Sequence, residues 1–522
     1  MKVVGHGMLI CLLLGSATAA GHAQAAAPPV SAPDQRAAQL EQRIETISTA
    51  LAATQQQIDQ SQRQMQQLQQ ELLELRQQMS AAGAGSSVPP SASPGAPSNA
   101  SAPSTSAPEA TTAAIEERQQ TLEAAVKLHD QTKVESSSKY PVRLTGLILF
   151  NGFLNRGITD NIDLPAFALR GTSTSGSGNF GAGLRQTILG IEGDGPRIFG
   201  ARTSANVSLD FFSDVSYTSY GTSAGIVRMR AGSIDFDWAN DSVQVGMVTP
   251  LIAPLSPESY ATVAEPSLAG AGNLWTWAPQ LRYTHRFPLQ RGNRMQVELG
   301  LWDSPAAGYN SNQLFRASSP GELAEQPAYE TRISYAAAGD RGLQFGLGGY
   351  YSRQAYPGYQ GYPGTEHLDS WASTGDLRLP LGHHFEISGE GYRGRAIAGL
   401  GGGVYKDIVI GTNPITGASV LHGLNAIGGW TQFKTRFSSS LETNFSIGQD
   451  NGFARDFHAV VLSPTASATQ LRARNKMVVA NFIFRPKTYI ILSPEYRRIW
   501  SSPITGTGST LDIFTLSVGY KF

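Results

Sequence analysis

The chain has 522 residues, and its 40 Lys and Arg balance 40 Asp and Glu, leaving a formal charge of zero. A sequence with no basic field has nothing to grip phosphate, which excludes a general nucleic-acid binder. Only 15% of residues are charged and 56 are glycine. No stretch after residue 25 approaches the roughly 18–20 consecutive apolar residues of a membrane-spanning helix, so a helical membrane protein is excluded.

Residues 1–25 read as a secretory signal. Lys2 gives the positive end, Met8 to Leu14 the apolar segment, and small residues lead to Ala23-Gln24-Ala25. The single cysteine, Cys11, falls inside this segment, and Ile10 stands where a lipoprotein signal needs a small residue. The exported chain therefore uses no disulfide.

Residues 35–79 follow a heptad pattern. Ile44, Leu51, Ile58, Met65, Leu72 and Met79 form one row, and Leu40, Ile47, Thr54, Ser61, Leu68 and Leu75 the other. Alternating spacings of three and four keep a narrow apolar stripe facing a partner helix, which predicts a coiled coil about 60 Å long joining copies of the chain. The heptads alone leave dimer and trimer open. Residues 80–114 are Ala, Ser, Pro, Gly and Thr almost throughout, a disordered linker. Residues 115–139 hold a short helix around Ile115–Leu128 and a second linker.

From 140 to 522 the texture changes to segments of about ten residues that alternate apolar and polar, as transmembrane β-strands do. Sixteen are predicted: 142–155, 184–194, 201–212, 226–238, 243–249, 279–287, 294–302, 328–336, 342–352, 370–379, 384–395, 421–434, 441–450, 474–485, 488–500 and 511–522. The connectors between them alternate long and short along the whole series. This predicts an all-β fold, a 16-stranded antiparallel transmembrane β-barrel preceded by a periplasmic coiled-coil helix. The short turns and both barrel ends then lie in the periplasm of a Gram-negative-type bacterium, beneath the outer membrane.

One parity supplies a lipid-facing belt: Val207, Leu209 and Phe211; Val297, Leu299 and Leu301; Phe445 and Ile447; Val478, Ala480 and Phe482. Tyr140, Tyr489, Tyr520 and Phe522 fall at one interface, and Trp500, Tyr350 and Tyr351 nearer the other, where amphipathic rings are favoured. The opposite parity is polar and carries both signs: Asn206, Ser208 and Asp210; Arg282, Thr284 and Arg286; Gln296 and Glu298; Glu330, Arg332 and Ser334; Asp376 and Arg378; Glu386, Ser388 and Glu390; Asn444 and Ser446. Facing lipid, each charge would cost about 2–4 kcal/mol near the midplane. Turned inward they imply a water-filled channel. The third long loop, 250–278, carries four prolines with Glu258 and Glu265. Folded into the channel, it would narrow it and set those acids across from Arg282, Arg332 and Arg378, with Arg286, Glu298 and Glu330 on the same wall.

Arg185-Gln186-Thr187-Ile188-Leu189-Gly190, Arg228-Met229-Arg230 leading into Ile234-Asp235-Phe236-Asp237, and Ala278-Pro279-Gln280-Leu281-Arg282-Tyr283-Thr284 resemble segments of the DcaP-like family of trimeric porins. The layout of signal, coiled coil, linker and barrel resembles that family too. Ile188 stands where the family pattern calls for a basic residue. The resemblance implies a homotrimer with a periplasmic coiled coil, passing small hydrophilic solutes, anionic ones among them, through a bilayer of outer-membrane lipids.

Two rival functions belong to other classes. An outer-membrane hydrolase would need a catalytic arrangement, but His383, His384, His422 and His458 form no His-Glu-x-x-His motif and no serine sits in a nucleophile elbow. The Gly399–Gly403 run lacks the strand-to-helix setting of a phosphate cradle. An envelope tether would bind peptidoglycan through the rod and use the barrel as an anchor. The expectation is a non-enzymatic, weakly charge-selective porin without cofactor or metal.

Overall fold

A computed structural model describes residues 141–522 apart from 172–175, 214, 218–222, 305, 307–316, 340–341, 359–364 and 464–470. The expected signal, coiled coil, linkers, short helix and Tyr140 lie outside the described residues.

Sixteen antiparallel staves form one closed sheet. They are β1 (Val142–Arg156), β2 in two segments (Gly178–Gly183 and Ile188–Asp194), β3 (Arg202–Asp210), β4 (Arg228–Asp237), β5 (Asp241–Val248), β6 (Ala278–Pro288), β7 (Arg294–Trp302) and β8 (Ala328–Ala336). The circuit continues through β9 (Gln344–Pro357), β10 (Thr365–Leu381), β11 (Phe385–Arg395), β12 (Asn425–Arg436), β13 (Leu441–Gly452), β14 (Arg472–Lys487), β15 (Ile490–Pro503) and β16 (Ser509–Lys521). Each stave pairs with the next, and β16 returns to β1 in a register running from Leu147 opposite Lys521 to Arg156 opposite Asp512. Among the described residues every stave has a paired neighbour on each side, as a sheet that spans a bilayer requires.

The two-residue period sorts side chains as β-strand geometry demands. On β13, Glu442, Asn444, Ser446 and Asp450 point inward and are buried, while Phe445 and Ile447 are 51% and 46% exposed on the outside. The same inversion holds on β7 and β8, where Leu299, Leu301 and Ile333 are exposed and Glu298, Glu330 and Arg332 are buried. An apolar exterior around a polar interior is the arrangement of a barrel dissolved in lipid.

The structure departs from the sequence expectations in four places, one being the twelfth strand, which begins at Asn425 instead of residue 421 because Ser419–Gly423 pairs with Ile408–Thr412 in a separate hairpin. The second stave begins at Gly178 instead of residue 184 and is interrupted at Leu184–Thr187; both segments pair with β1. Tyr350 does not join an outer aromatic girdle: it points inward, is 4% exposed, and meets Trp302 edge-on at 6.1 Å. Its neighbour Tyr351 takes the outward position, as alternation requires. Finally, connectors 353–369 and 501–510, expected to be long, are taken up by the flanking strands, leaving 358–364 and 504–508. Three long connectors carry small hairpins: Ile158–Thr159 with Ala168–Leu169, Val215–Tyr217 with Ser223–Gly225, and Ile408–Thr412 with Ser419–Gly423.

Candidate functional site

The connector between β5 and β6, residues 249–277, lies against the inward face of the wall. Its first hold is apolar. Leu251 and Ile252, each 1% exposed, pack with Trp302 and Tyr350. Wall glycines make the room: a Cβ on Gly300 would stand 2.8 Å from the Leu251 side chain, and one on Gly348 2.9 Å from Ile252.

Beyond this anchor the loop has no secondary structure, so its buried backbone groups need partners from the wall. Thr374 donates to the Ile252 carbonyl at 2.7 Å, and Glu330 and Glu390 accept from the Leu251 and Leu255 amides at 2.9 and 2.6 Å. Gln432 accepts from the Glu258 amide at 2.8 Å, and Asn481 donates to the Glu258 carbonyl at 2.8 Å. Asn151 donates to the Tyr260 carbonyl at 2.9 Å. The chain has by then passed β8, β10, β11, β12 and β14 and reached β1.

At the break in β2, Gln186 is 3% exposed and holds three loop groups at once. Its amide donates to the Ala261 carbonyl at 2.9 Å, and its oxygen accepts from the amides of Val263 and Ala264 at 2.7 and 3.0 Å. Arg228 donates to the Ala264 carbonyl at 2.7 Å, and Arg230 to that of Val263. Both guanidiniums face Asp210, which is fully buried; Arg228 pairs with it at 2.8 Å. The return limb comes back to β14, where Asn475 donates to the Gly270 carbonyl at 3.0 Å. It then presses on β12 and β13, and Trp275 donates its amide to Leu400 in the 396–424 connector at 3.0 Å.

The eight charged residues singled out in the sequence fall into separate groups. Arg282, Glu298, Glu330 and Arg332 come together on the neighbouring staves β6, β7 and β8. Arg332 holds Glu298 at 2.7 Å and grips Asp376 through two nitrogens at 3.0 and 2.8 Å. Arg282 donates to the Thr249 carbonyl at 2.8 Å, at the loop's root. Arg286 lies 3.8 Å from Asp237, and Arg378 pairs with Glu386 at 3.2 Å. Glu258 pairs with Lys434 on β12, and Glu265 stands in the field of Arg228, Asp160 and Asp210. Glu258 is therefore partnered by Lys434, and among the described residues neither loop acid makes an ion pair with Arg282, Arg332 or Arg378.

Two polar hollows lie along the wall. One of about 250 Å³ lies under Pro254 and Leu255 and brings Arg294, Arg332, Asp376 and Arg378 to one space. The other, of about 420 Å³, lies on β1–β3 among Arg143, Glu192, Asp194, Asn206 and Ser208. The wall is correspondingly uneven. Under the loop, Gln432, Lys434, Asn481, Glu495 and Arg497 are all buried, whereas on β3–β6 Ser204, Asn206, Ser208, Asp235, Gln244 and Arg282 remain partly or fully exposed.

Gln186, Lys434 and Asn481 were not singled out as site residues by the sequence. The signal for Gln186 was its place in the Arg185-Gln186-Thr187 segment; Lys434 and Asn481 share the inward parity but carry no motif.

No protein-family model and no curated protein matches the chain. Solved structures do. The outer membrane channel DcaP of Acinetobacter baumannii superposes with a TM-score of 0.55 at 14% identity, covering 74% of this chain and 99% of that one. An anion-selective porin from Comamonas acidovorans gives 0.47 at 12% identity, over 74% and 100% of the two chains. OmpF of Salmonella typhi, in complex with daunomycin, gives 0.43 at 13% identity, over 73% and 98%. At these identities the likeness is one of fold, and the first carries it. The resemblance to DcaP-like channels stands at the level of architecture: residues 141–522 share the closed, sixteen-stave barrel fold of the DcaP channel.

Proposed function

We propose that the chain is a passive outer-membrane porin of the DcaP-like kind, working as a homotrimer and passing small hydrophilic solutes through a channel narrowed by the 249–277 loop. The observation that carries this is the inversion of polarity. Uncatalysed diffusion needs a wet wall, and Ser204, Asn206, Ser208, Asp235 and Gln244 on β3–β5 supply inward polar side chains that stay partly or fully exposed beside the loop. The loop's many side-chain holds argue for a fixed constriction, since each buried hydrogen bond contributes about 1 kcal/mol.

Selectivity in this reading is weak because both signs line the path. Arg294, Arg332 and Arg378 outnumber Asp376 in the hollow beneath the loop, which tilts the balance toward anions, while Asp235 and Asp237 stand on the uncovered wall. The long-loop end faces outward and the short turns face the periplasm, where the heptad segment would hold the trimer.

Recording the purified full-length protein in a planar bilayer tests the proposal. Discrete conductance that closes in three equal steps is expected, with a small reversal potential of anion-favouring sign under a salt gradient. A bilayer that stays silent, while the protein is folded by circular dichroism, would overturn it.

A further inference from the structure

The lipid-facing side of the barrel is apolar along most of its circumference, but at the long-loop end outward charges gather in two sectors, on β9–β11, where Arg353, Arg393 and Arg395 stand with Asp369, and on β14–β1. Arg474 and Lys476 on β14, Arg498 on β15 and Arg156 on β1 all have the outward parity. They continue the lines of Val478 and Phe482, of Leu492 and Tyr496, and of Phe150 and Leu154. Arg156, Arg474 and Lys476 are exposed, and the Arg498 side chain is 41% exposed.

Sheet register sets them side by side. Lys476 lies opposite Trp500 and Arg474 opposite Ser502. Asp512 lies opposite both Arg498 and Arg156. Asp512 is the one outward acid among the described residues of β13–β16 and β1. It is engaged by Arg498 at 3.4 Å and by the Tyr496 hydroxyl at 2.7 Å. Four cations thus face one acid over three strand steps, a width of about 14 Å.

Two of the guanidiniums are laid on rings, Arg498 over Trp500 at 5.2 Å and Arg156 over Phe514 at 5.8 Å. Gln449 and Asn451 on β13 pair with Lys476 and Arg474 and add amides suited to sugar hydroxyls. Directly toward the midplane lie exposed Ile447, Phe482, Leu492, Phe514 and Leu516. At the opposite end the same staves present Phe484, Tyr489 and Tyr520 beside the exposed Lys487 and Lys521, with no stacked guanidinium on those rings among the described residues.

We propose that this patch binds the phosphorylated sugar head group of an acylated glycolipid in the outer leaflet. The proposal rests on the porin reading for which end faces outward. Charge and shape both select that occupant. Phosphate monoesters accept paired donors from arginine, and basic residues at a membrane surface attract anionic head groups. The apolar staves beneath suit acyl chains, which a free phosphate or a soluble anion would not use.

The test uses the full-length protein in detergent and native mass spectrometry to count bound lipid. The probe is a bisphosphorylated, acylated disaccharide, compared with the same lipid after phosphatase treatment. R474Q/K476Q is expected to weaken binding at least tenfold and R156Q several-fold, while the dephosphorylated lipid binds wild type and variants equally weakly. Millimolar inorganic phosphate is expected not to displace the lipid. Equal binding by wild type and R474Q/K476Q, or no dependence on phosphorylation, overturns the proposal. So does loss of the oligomer in the folded variant, which would assign this face to a second copy of the chain. Should the double variant not fold, R156Q alone decides the matter by the same criterion. Conductance of the same samples separates the two readings: a conducting wild type that binds no lipid sinks this proposal only, whereas a silent one sinks the porin reading.

Discussion

Gln186 shows how much a single side chain settles here. Standing where β2 is interrupted, it closes off three backbone groups of a loop that has no regular structure of its own. Its neighbour in space, Glu265, works against the same seating. In the loop and outside the spanning strands, its carboxyl is pushed up to about 7 by burial, with Asp160 and Asp210 adding to the rise and Arg228 opposing it. A raised carboxyl favours the seated loop while it is protonated. That contribution is complete below the ordinary value of 4.5 and is lost as pH climbs through about 7. Open-channel current noise should therefore grow between about pH 6 and 8 in the wild type and stay level in Glu265→Gln. A wild-type trace with no pH dependence in that window would show that Glu265 does not govern the loop.

At the level of elements, the loop and the wall meet backbone to backbone, and glycine permits it. Gly272 has φ +99°, and a Cβ there would come within 2.4 Å of the Gly429 carbonyl oxygen and 2.5 Å of the Gln449 one. A Cβ on Gly448 would fall 2.2 Å from the Ala271 carbonyl oxygen. Gly448→Ala is thus expected to lift the return limb and destabilise the barrel by about 1–3 kcal/mol. The checks are a lower thermal midpoint in detergent and faster protease cleavage within 255–275; an unchanged midpoint and cleavage rate would mean the contact is dispensable. The strands themselves were legible because a two-residue period is written in every stave. The break in β2 was not, since Leu184–Thr187 reads as a continuation of the same segment. Nor were the extensions of β9 and β10, whose outer ends carry His367, Glu366 and Tyr356 instead of a plain apolar alternation.

For the whole molecule, the wall is lopsided: the loop covers the inward face of β8 and β10–β15, is held by Arg228 and Arg230 on β4, and leaves Ser204, Asn206, Ser208, Asp235 and Gln244 on β3–β5 partly or fully exposed. Sequence parity put Arg282, Glu298, Glu330 and Arg332 on the inward face, and the structure gathers them on the neighbouring staves β6–β8, a grouping the sequence expectation did not include. It could not foretell that Glu258 meets Lys434, because that pairing depends on where an irregular loop crosses the interior. Assembly is a separate matter from the barrel's own closure. Removing residues 35–79 is expected to abolish trimers, measured by sedimentation in detergent, while leaving the β-sheet circular dichroism signal unchanged. Trimers that persist would place the assembly contacts in the barrel wall.

The pairing of β1 with β16 has one more consequence. The side chain of Asn151 donates to Ser517 at 2.8 Å across that seam, joining the first and last staves of the barrel. The cylinder therefore cannot close before β16 has been made, and such distant pairing is slow to form. A polypeptide released before its final strand would carry two raw margins, each a template for a stranger's strand. Such a truncated product is a seed for aggregation instead of a smaller pore.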